Sequence, residues 1–277
     1  MLTWLDERTP LPAPAAAAMA DDSGAPGLVA VGGRLTVPRL EEAYGKGIFP
    51  WYSPGQPVLW WSPDPRMVLP VQEFRLSRSL KKTVRRFARE QREGRCAVRF
   101  DSAFRTVIES CARTPRAGQE GTWIVPSVVR AYAEWHERGR VHSAETWMGG
   151  ELVGGLYFVA IGRMVFGESM FSHRTDASKI ALAALVAACR ARGVPLIDCQ
   201  QNTAHLASLG AREVSRSNFE AHLARTLGEP AVADWTYDES HWGQLLDDID
   251  GDDDAGASNA DGAESTSGED GSRGSVK

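Results

Sequence analysis

VHSAETWMGGELVGGLYFVAIGRMVFGESMF, from Val141 to Phe171, contains three β-rich runs with almost no spacer between them. A Met-Gly-Gly turn joins the first two, so the segment reads as three consecutive hairpin-type strands. ASKIALAALVAACRARG follows, a long apolar helix stopped by Gly193, and then the strand VPLIDCQ. A strand, a crossover helix and a second strand form a right-handed unit whose two strands run parallel. RMVFGESMF and VPLIDCQ therefore present their C-terminal ends at one edge, where open α/β sheets bind ligands. Glu168 lies at one of those ends and Asp198 and Gln200 at the other. Two residues apart on a strand, Asp198 and Gln200 are expected on the same face.

Working outward, the strand CAVRF, a helix after Asp101 and a helix after Pro126 precede this block. A short helix ending near Gly210, a strand AREVS and a last helix from Asn218 follow it. The order β-α-α-β-β-β-α-β-α-β belongs to the α+β or α/β class with a mixed sheet. Upstream, TVPRLEEAYGKG predicts a short helix with Pro38 in its first turn and a glycine stop. FPWYSPGQPVLWWSPDPRMVLP, dense in Trp and Pro, predicts a turn-rich region with a small sheet. The rhythm changes near Gln72. The expected organisation is an N-terminal domain over 1–72, a second domain over 73–240 and a tail over 241–277.

Net charge is −5 across 277 residues, but unevenly placed. From Asp247 to Lys277 ten acids face two bases, a balance of −8, so residues 1–246 carry +3. Rich in Asp, Gly and Ser, this tail reads as disordered and solubilising, with an interaction arm as the alternative. From Arg75 to Arg99 ten Lys/Arg face only Glu90 and Glu93, a balance of +8. Most of that charge falls on the predicted helix SRSLKKTVRRFAREQRE, with Ser77 as cap and Leu80, Val84 and Phe87 as its apolar stripe.

Several chemistries are disfavoured. The longest apolar run, Ile180–Cys189, is far too short to span a membrane, and the four cysteines form no CxxC pair. No signal peptide is recognisable, so reduced cysteines and the cytoplasm are expected. The scattered histidines give no metal-ligand spacing, and neither a metal nor a cofactor is expected. GESMF approaches the GxSxG elbow of serine hydrolases but has Phe171 in place of the second glycine. Cys199 reads as a small buried hydrophobe rather than a nucleophile paired with His205. The element order resembles the acyltransferase fold of the GCN5-related N-acetyltransferases. Yet where those enzymes carry a glycine loop for the pyrophosphate of coenzyme A, this chain has SHRTDASK. The basic helix and the Trp-rich segment suit phosphates and unpaired bases instead.

The strings FPWYSPGQPVLWWSPDPR, GTWIVPSVV, HSAETW, LVGGLYFVAIG, FGESMFS, ASKIALAAL and LIDCQ...H..SLGA, in this order, resemble the leucyl/phenylalanyl-tRNA–protein transferases over roughly Gly32 to Phe219. One departure is local: relatives read V-L-N-x-H after LIDCQ, whereas this chain reads Q-N-T-A-H, which shifts Asn202 by one position. The resemblance implies a cytoplasmic enzyme that moves Leu or Phe, less often Met, from aminoacyl-tRNA onto the N-terminal amine of proteins beginning with Arg or Lys, marking them for N-degron degradation. It implies an acetyltransferase-like C-terminal domain in which tRNA takes the place of coenzyme A. It also implies catalytic roles for Asp198, Gln200 and Glu168, with the two acids supplying negative charge to the cationic acceptor. Leu156, Val165, Met170 and Leu185 match an aminoacyl pocket. Trp61 and Trp123 match residues that hold the terminal adenosine, and Arg78, Lys81, Lys82 and Arg85 would meet acceptor-stem phosphates. A coenzyme A-dependent N-acetyltransferase is the alternative from the same fold, and a non-catalytic RNA-binding module the alternative from another class.

Overall fold

Four short strands open the fold: β1 (Thr3–Leu5), β2 (Leu28–Gly32), β3 (Phe49–Pro50) and β4 (Leu59–Trp61), ordered β1-β2-β4-β3. Only β1 and β2 run parallel; the other pairs are antiparallel. Helix α1 (Val37–Gly45) packs beside them, with Thr36 accepting the Arg39 N–H and Pro38 in the first turn. The computed structural model describes residues 2–17, 24–115 and 122–246. The acidic segment from Asp247 lies outside the described residues.

A second sheet carries seven strands: β5 (Arg66–Pro70), β6 (Cys96–Phe100), β7 (Val141–Met148), β8 (Glu151–Ile161), β9 (Met164–Ser172), β10 (Leu196–Gln200) and β11 (Arg212–Val214). Their order is β11-β5-β10-β9-β8-β7-β6, and within it β9 and β10 are the one parallel pair. The three strands 141–171 form the expected meander, and the crossover helix returns the chain so that β10 runs parallel beside β9. One strand departs from the expected division: β5, placed from sequence in the first 72 residues, sits inside the larger sheet between β11 and β10. Its apolar run Met67–Leu69 is buried, which an interior strand demands.

Helices cover both faces of this sheet: α2 (Arg78–Arg92), α3 (Phe104–Arg113), α4 (Pro126–Glu137), α5 (Ala177–Ala191), α6 (Ala204–Ser208), α7 (Arg216–Thr226) and α8 (Gly243–Leu246). Ser77 caps α2, and Leu80, Val84 and Phe87 are buried beneath it, as its periodicity predicts. Helix α7 begins two residues before Asn218 because the Ser215 hydroxyl accepts the Asn218 N–H and makes Ser215 the cap. Helix α5 is buried from Ile180 to Cys189, and its first turn lies directly on β8. A Cβ on Gly154 would come within 2.5 Å of the Ala177 Cβ, so this close approach requires glycine. Two apolar clusters result. One joins the small sheet, α1, α3, α4 and α7; the other holds α2, α5 and the buried Trp242 and Leu245. Residues 241–246, assigned from sequence to the tail, are therefore part of the folded chain.

Candidate active site

β9 and β10 pair only at Val165–Ile197 and Phe166–Asp198. Beyond those residues the strands diverge, and each carries a register shift. On β9, Tyr157 faces Ser169 while Phe158 faces Gly167, leaving Glu168 as the extra residue. On β10 the shift lies between Asp198 and Gln200. Bulges of this kind re-aim side chains that strict alternation would send elsewhere.

The β10 bulge ends in a tight turn centred on Gln200, whose φ is +57°. The Gln201 N–H donates to Cys199 O at 2.7 Å across it, the three-residue bond of a positive-φ γ-turn. A non-glycine residue held there stores about 1–3 kcal/mol and persists only where its surroundings impose it. Asp198 imposes it, since its Oδ1 accepts the Gln200 N–H at 3.0 Å. The same carboxylate takes two bonds from Arg66, Nε to Oδ1 at 2.8 Å and an η nitrogen to Oδ2 at 2.7 Å. Both side chains are almost wholly buried. Arg66 also donates to Gly47 O at 3.0 Å and lies between the rings of Phe49 and Phe219, 4.8 and 4.5 Å from their centroids.

Between the diverging strands is a cavity of about 310 Å³. Glu168 and Gln200 line it together with Leu156, Met170 and Leu185, and Trp123 enters from the segment before α4. Phe49, Pro50 and Trp51 close it from the N-terminal sheet, and Cys199, Thr203 and His205 from the β10–α6 side. The Gln200 Nε2 is shielded from solvent and has no hydrogen-bond partner among the described residues. A buried donor left in that state costs about 1–3 kcal/mol, so an oxygen atom of a ligand is the natural occupant of the space beside it.

Glu168 ends a chain of hydroxyls. Tyr44 donates to its Oε1 at 2.6 Å, and the Tyr132 oxygen lies 2.6 Å from that of Tyr44. Burial outweighs these bonds and, with the nearby charge of Asp198, pushes the Glu168 carboxyl up to about 8, against the lowering effects of Tyr44 and Arg66. Burial also holds His205 below the ordinary imidazole range, with Lys179 adding to the effect, and it raises the Cys199 thiol far above its usual value. A neutral thiol is a poor nucleophile. Ser169 lies within β9 rather than at a strand-to-helix elbow.

Three of the expected site residues occupy other positions. Asp198 does not face the cavity: the bulge breaks the alternation that would have put it beside Gln200, and Arg66 matches its charge. Val165 is core on the opposite face of β9 from Phe166. Trp61 packs behind the cavity wall, its Nε1 donating to Trp51 O at 2.7 Å and its ring edge-on to Trp51 at a centroid distance of 5.9 Å. The indole that this Trp-rich string contributes to the cavity is that of Trp51, missed because nothing local distinguishes the two rings. Arg78, Lys82 and Arg85 are exposed on α2 and Lys81 is half-buried, all outside the cavity lining. Asn202 points away, its Nδ2 donating to Glu213 at 3.0 Å.

A family model described as leucyl/phenylalanyl-tRNA protein transferase matches residues 68–224, and the model of that family's N-terminal domain matches 33–64. A leucyl/phenylalanyl-tRNA–protein transferase from Methylibium petroleiphilum is 62% identical over 253 residues, 88% of this chain and 91% of its own length. A protein of the same name from Leptothrix cholodnii is 60% identical over 250 residues, 89% of this chain and 96% of its own.

Proposed function

The chain belongs to the leucyl/phenylalanyl-tRNA–protein transferase family, and from that premise we propose how its cleft transfers Leu or Phe from aminoacyl-tRNA to the N-terminal amine of a protein beginning with Arg or Lys. The observation that carries this reading is the single cavity shared by an apolar floor, two polar groups at a strand divergence and two indoles. Leu156, Met170 and Leu185 receive the aminoacyl side chain, and Met170 adapts to both an aliphatic and an aromatic guest. Trp51 and Trp123 offer flat faces to the terminal adenosine.

The reaction is aminolysis of an ester, so the acceptor must lose a proton and the carbonyl oxygen must be stabilised as it gains charge. Gln200 serves the second need through its unpartnered Nε2, while its carbonyl oxygen aims the attacking amine. Glu168 serves the first by taking one proton from the ammonium; as the C–N bond forms and the ester C–O bond breaks, the second amine proton passes to the leaving ribose oxygen, which departs as the free hydroxyl of the tRNA. The proton affinity of Glu168, near 8, equals that of an α-amine, so transfer from ammonium to carboxylate costs little. Asp198 acts at one remove by holding the Gln200 turn. Coenzyme A finds less support here than tRNA does. At the start of α5 the Ala177 N–H is bonded to Arg174 O and the Ser178 N–H to the Ser172 hydroxyl, so the donors that would cradle a pyrophosphate are engaged. No helix among the described residues is long and apolar enough to cross a membrane. A cytoplasmic setting suits the cysteines, all four of which are free thiols.

Incubation with labelled Leu-tRNA and an Arg-initiated peptide tests the reading. A Leu-Arg terminus is the expected product; recovery of unmodified peptide together with acetylation by acetyl-coenzyme A would refute it. The exposed bases of α2 are proposed to meet acceptor-stem phosphates without reading sequence. Replacing Arg78 and Lys82 with glutamine should then lower the slope of log affinity for tRNA against log salt by about 2, measured by filter binding. An unchanged slope would locate the tRNA elsewhere.

A further inference from the structure

The basic face of α2 has a counterpart within the same chain. Arg78, Lys82, Arg86, Arg89 and Arg92 are exposed and recur at helical spacing, so they form one stripe. The two acids of the segment, Glu90 and Glu93, both pair with Arg95. Among the described residues these five bases therefore have no carboxylate partner. On the opposite side of the helix, Trp242 sits edge-on to Phe87 at 6.3 Å and its Nε1 donates to Gln91 at 3.3 Å. With Leu245 also buried, the chain is tied to α2 immediately before Asp247 begins the acidic segment.

We propose that residues 247–277 dock on the basic face of α2 and compete there with nucleic acid for the same charges. The charge balances are equal and opposite, −8 for the segment and +8 from Arg75 to Arg99. Reach is not limiting. A 15-residue helix is about 22 Å long, and five residues of chain, at up to about 3.5 Å each, carry Trp242's successors onto its surface. An intramolecular polyanion acts at a high effective concentration and is screened by salt in the same way as the phosphates it displaces. The segment then weakens loose, purely electrostatic binding, while a tRNA whose charged end also fills the cavity displaces it. This last step rests on the proposed function; the docking itself does not.

Two measurements test the proposal. In the first, a peptide of residues 247–277 is titrated onto a chain ending at Leu246, with no RNA present. Saturable binding that is lost by about 0.3 M salt, and weakened by Arg86→Gln with Arg89→Gln, is expected; no binding at low salt overturns the proposal. In the second, tRNA affinity is compared between the full chain and a full-length variant with the ten acids changed to asparagine or glutamine. The variant should bind about 10-fold tighter at 50 mM salt and within 2-fold at 0.3 M. Equal affinity at low salt overturns the competition with nucleic acid. If neither chain binds tRNA while the peptide still docks, the reading of α2 as a tRNA surface fails and the docking stands.

Discussion

Exchanging Arg66 for methionine is expected to destabilise the protein by about 3–5 kcal/mol, because it leaves the Asp198 carboxylate buried without its counter-charge. Asp198→Ala should cost the fold a similar amount, and it additionally releases the Gln200 turn. Misplacing a group that aims the attacking amine typically lowers the rate about 100-fold, so transfer by any folded Asp198→Ala protein should fall at least that far. The double variant Arg66→Met with Asp198→Asn separates the two effects. It removes both charges together, which lets stability return towards the wild-type value, and the asparagine oxygen can still accept the Gln200 N–H. Denaturant melts and single-turnover transfer assays on the three proteins read this directly. If the double variant folds normally but transfers no better than Asp198→Ala, the aspartate charge itself takes part in the chemistry and the positioning role is wrong.

Glu168→Gln should act on both stability and rate, and through pH. A carboxyl raised to about 8 in the folded state keeps its proton over a range in which the unfolded chain, near 4.5, has lost it. Folded protein therefore binds more protons between those values, and stability falls as pH rises through the window, by at most about 1.4 kcal/mol per unit. Glutamine cannot titrate, so the variant should lose this slope and be the more stable protein at pH 8. Its transfer rate should drop about 100-fold or more at neutral pH, since the proton acceptor is gone. Urea unfolding between pH 5 and 8 and transfer rates over the same range suffice. A variant whose stability keeps the wild-type slope would show that Glu168 is ionised throughout.

Much of the fold was open to sequence reasoning because its signals are local. Period-2 runs, the Met-Gly-Gly turn, the Ser77 cap, Pro38 in the first turn of α1 and the Gly193 stop each act within a few residues, and the handedness of a crossover admits one arrangement of β9 and β10. Glu168 and Gln200 could therefore be placed at one cleft from the order of elements alone, along with the apolar residues Leu156, Met170 and Leu185.

Tertiary contacts decided the rest. Nothing in Asp-Cys-Gln announces a positive φ, because the turn at Gln200 exists only while Asp198, fixed by an arginine 132 positions earlier in the chain, holds its N–H. Strand alternation consequently sent Asp198 to the wrong place. The choice of Trp51 over Trp61 and the loss of Val165 from the pocket have the same origin: which face of a short strand meets a cavity is settled by the elements packed on it. The proton affinity of Glu168 likewise depends on Tyr44, Tyr132 and burial between two sheets, groups that only the folded chain assembles. Local chemistry determined the elements and their order; the long-range ion pair and the packing around it determined which side chains line the cavity.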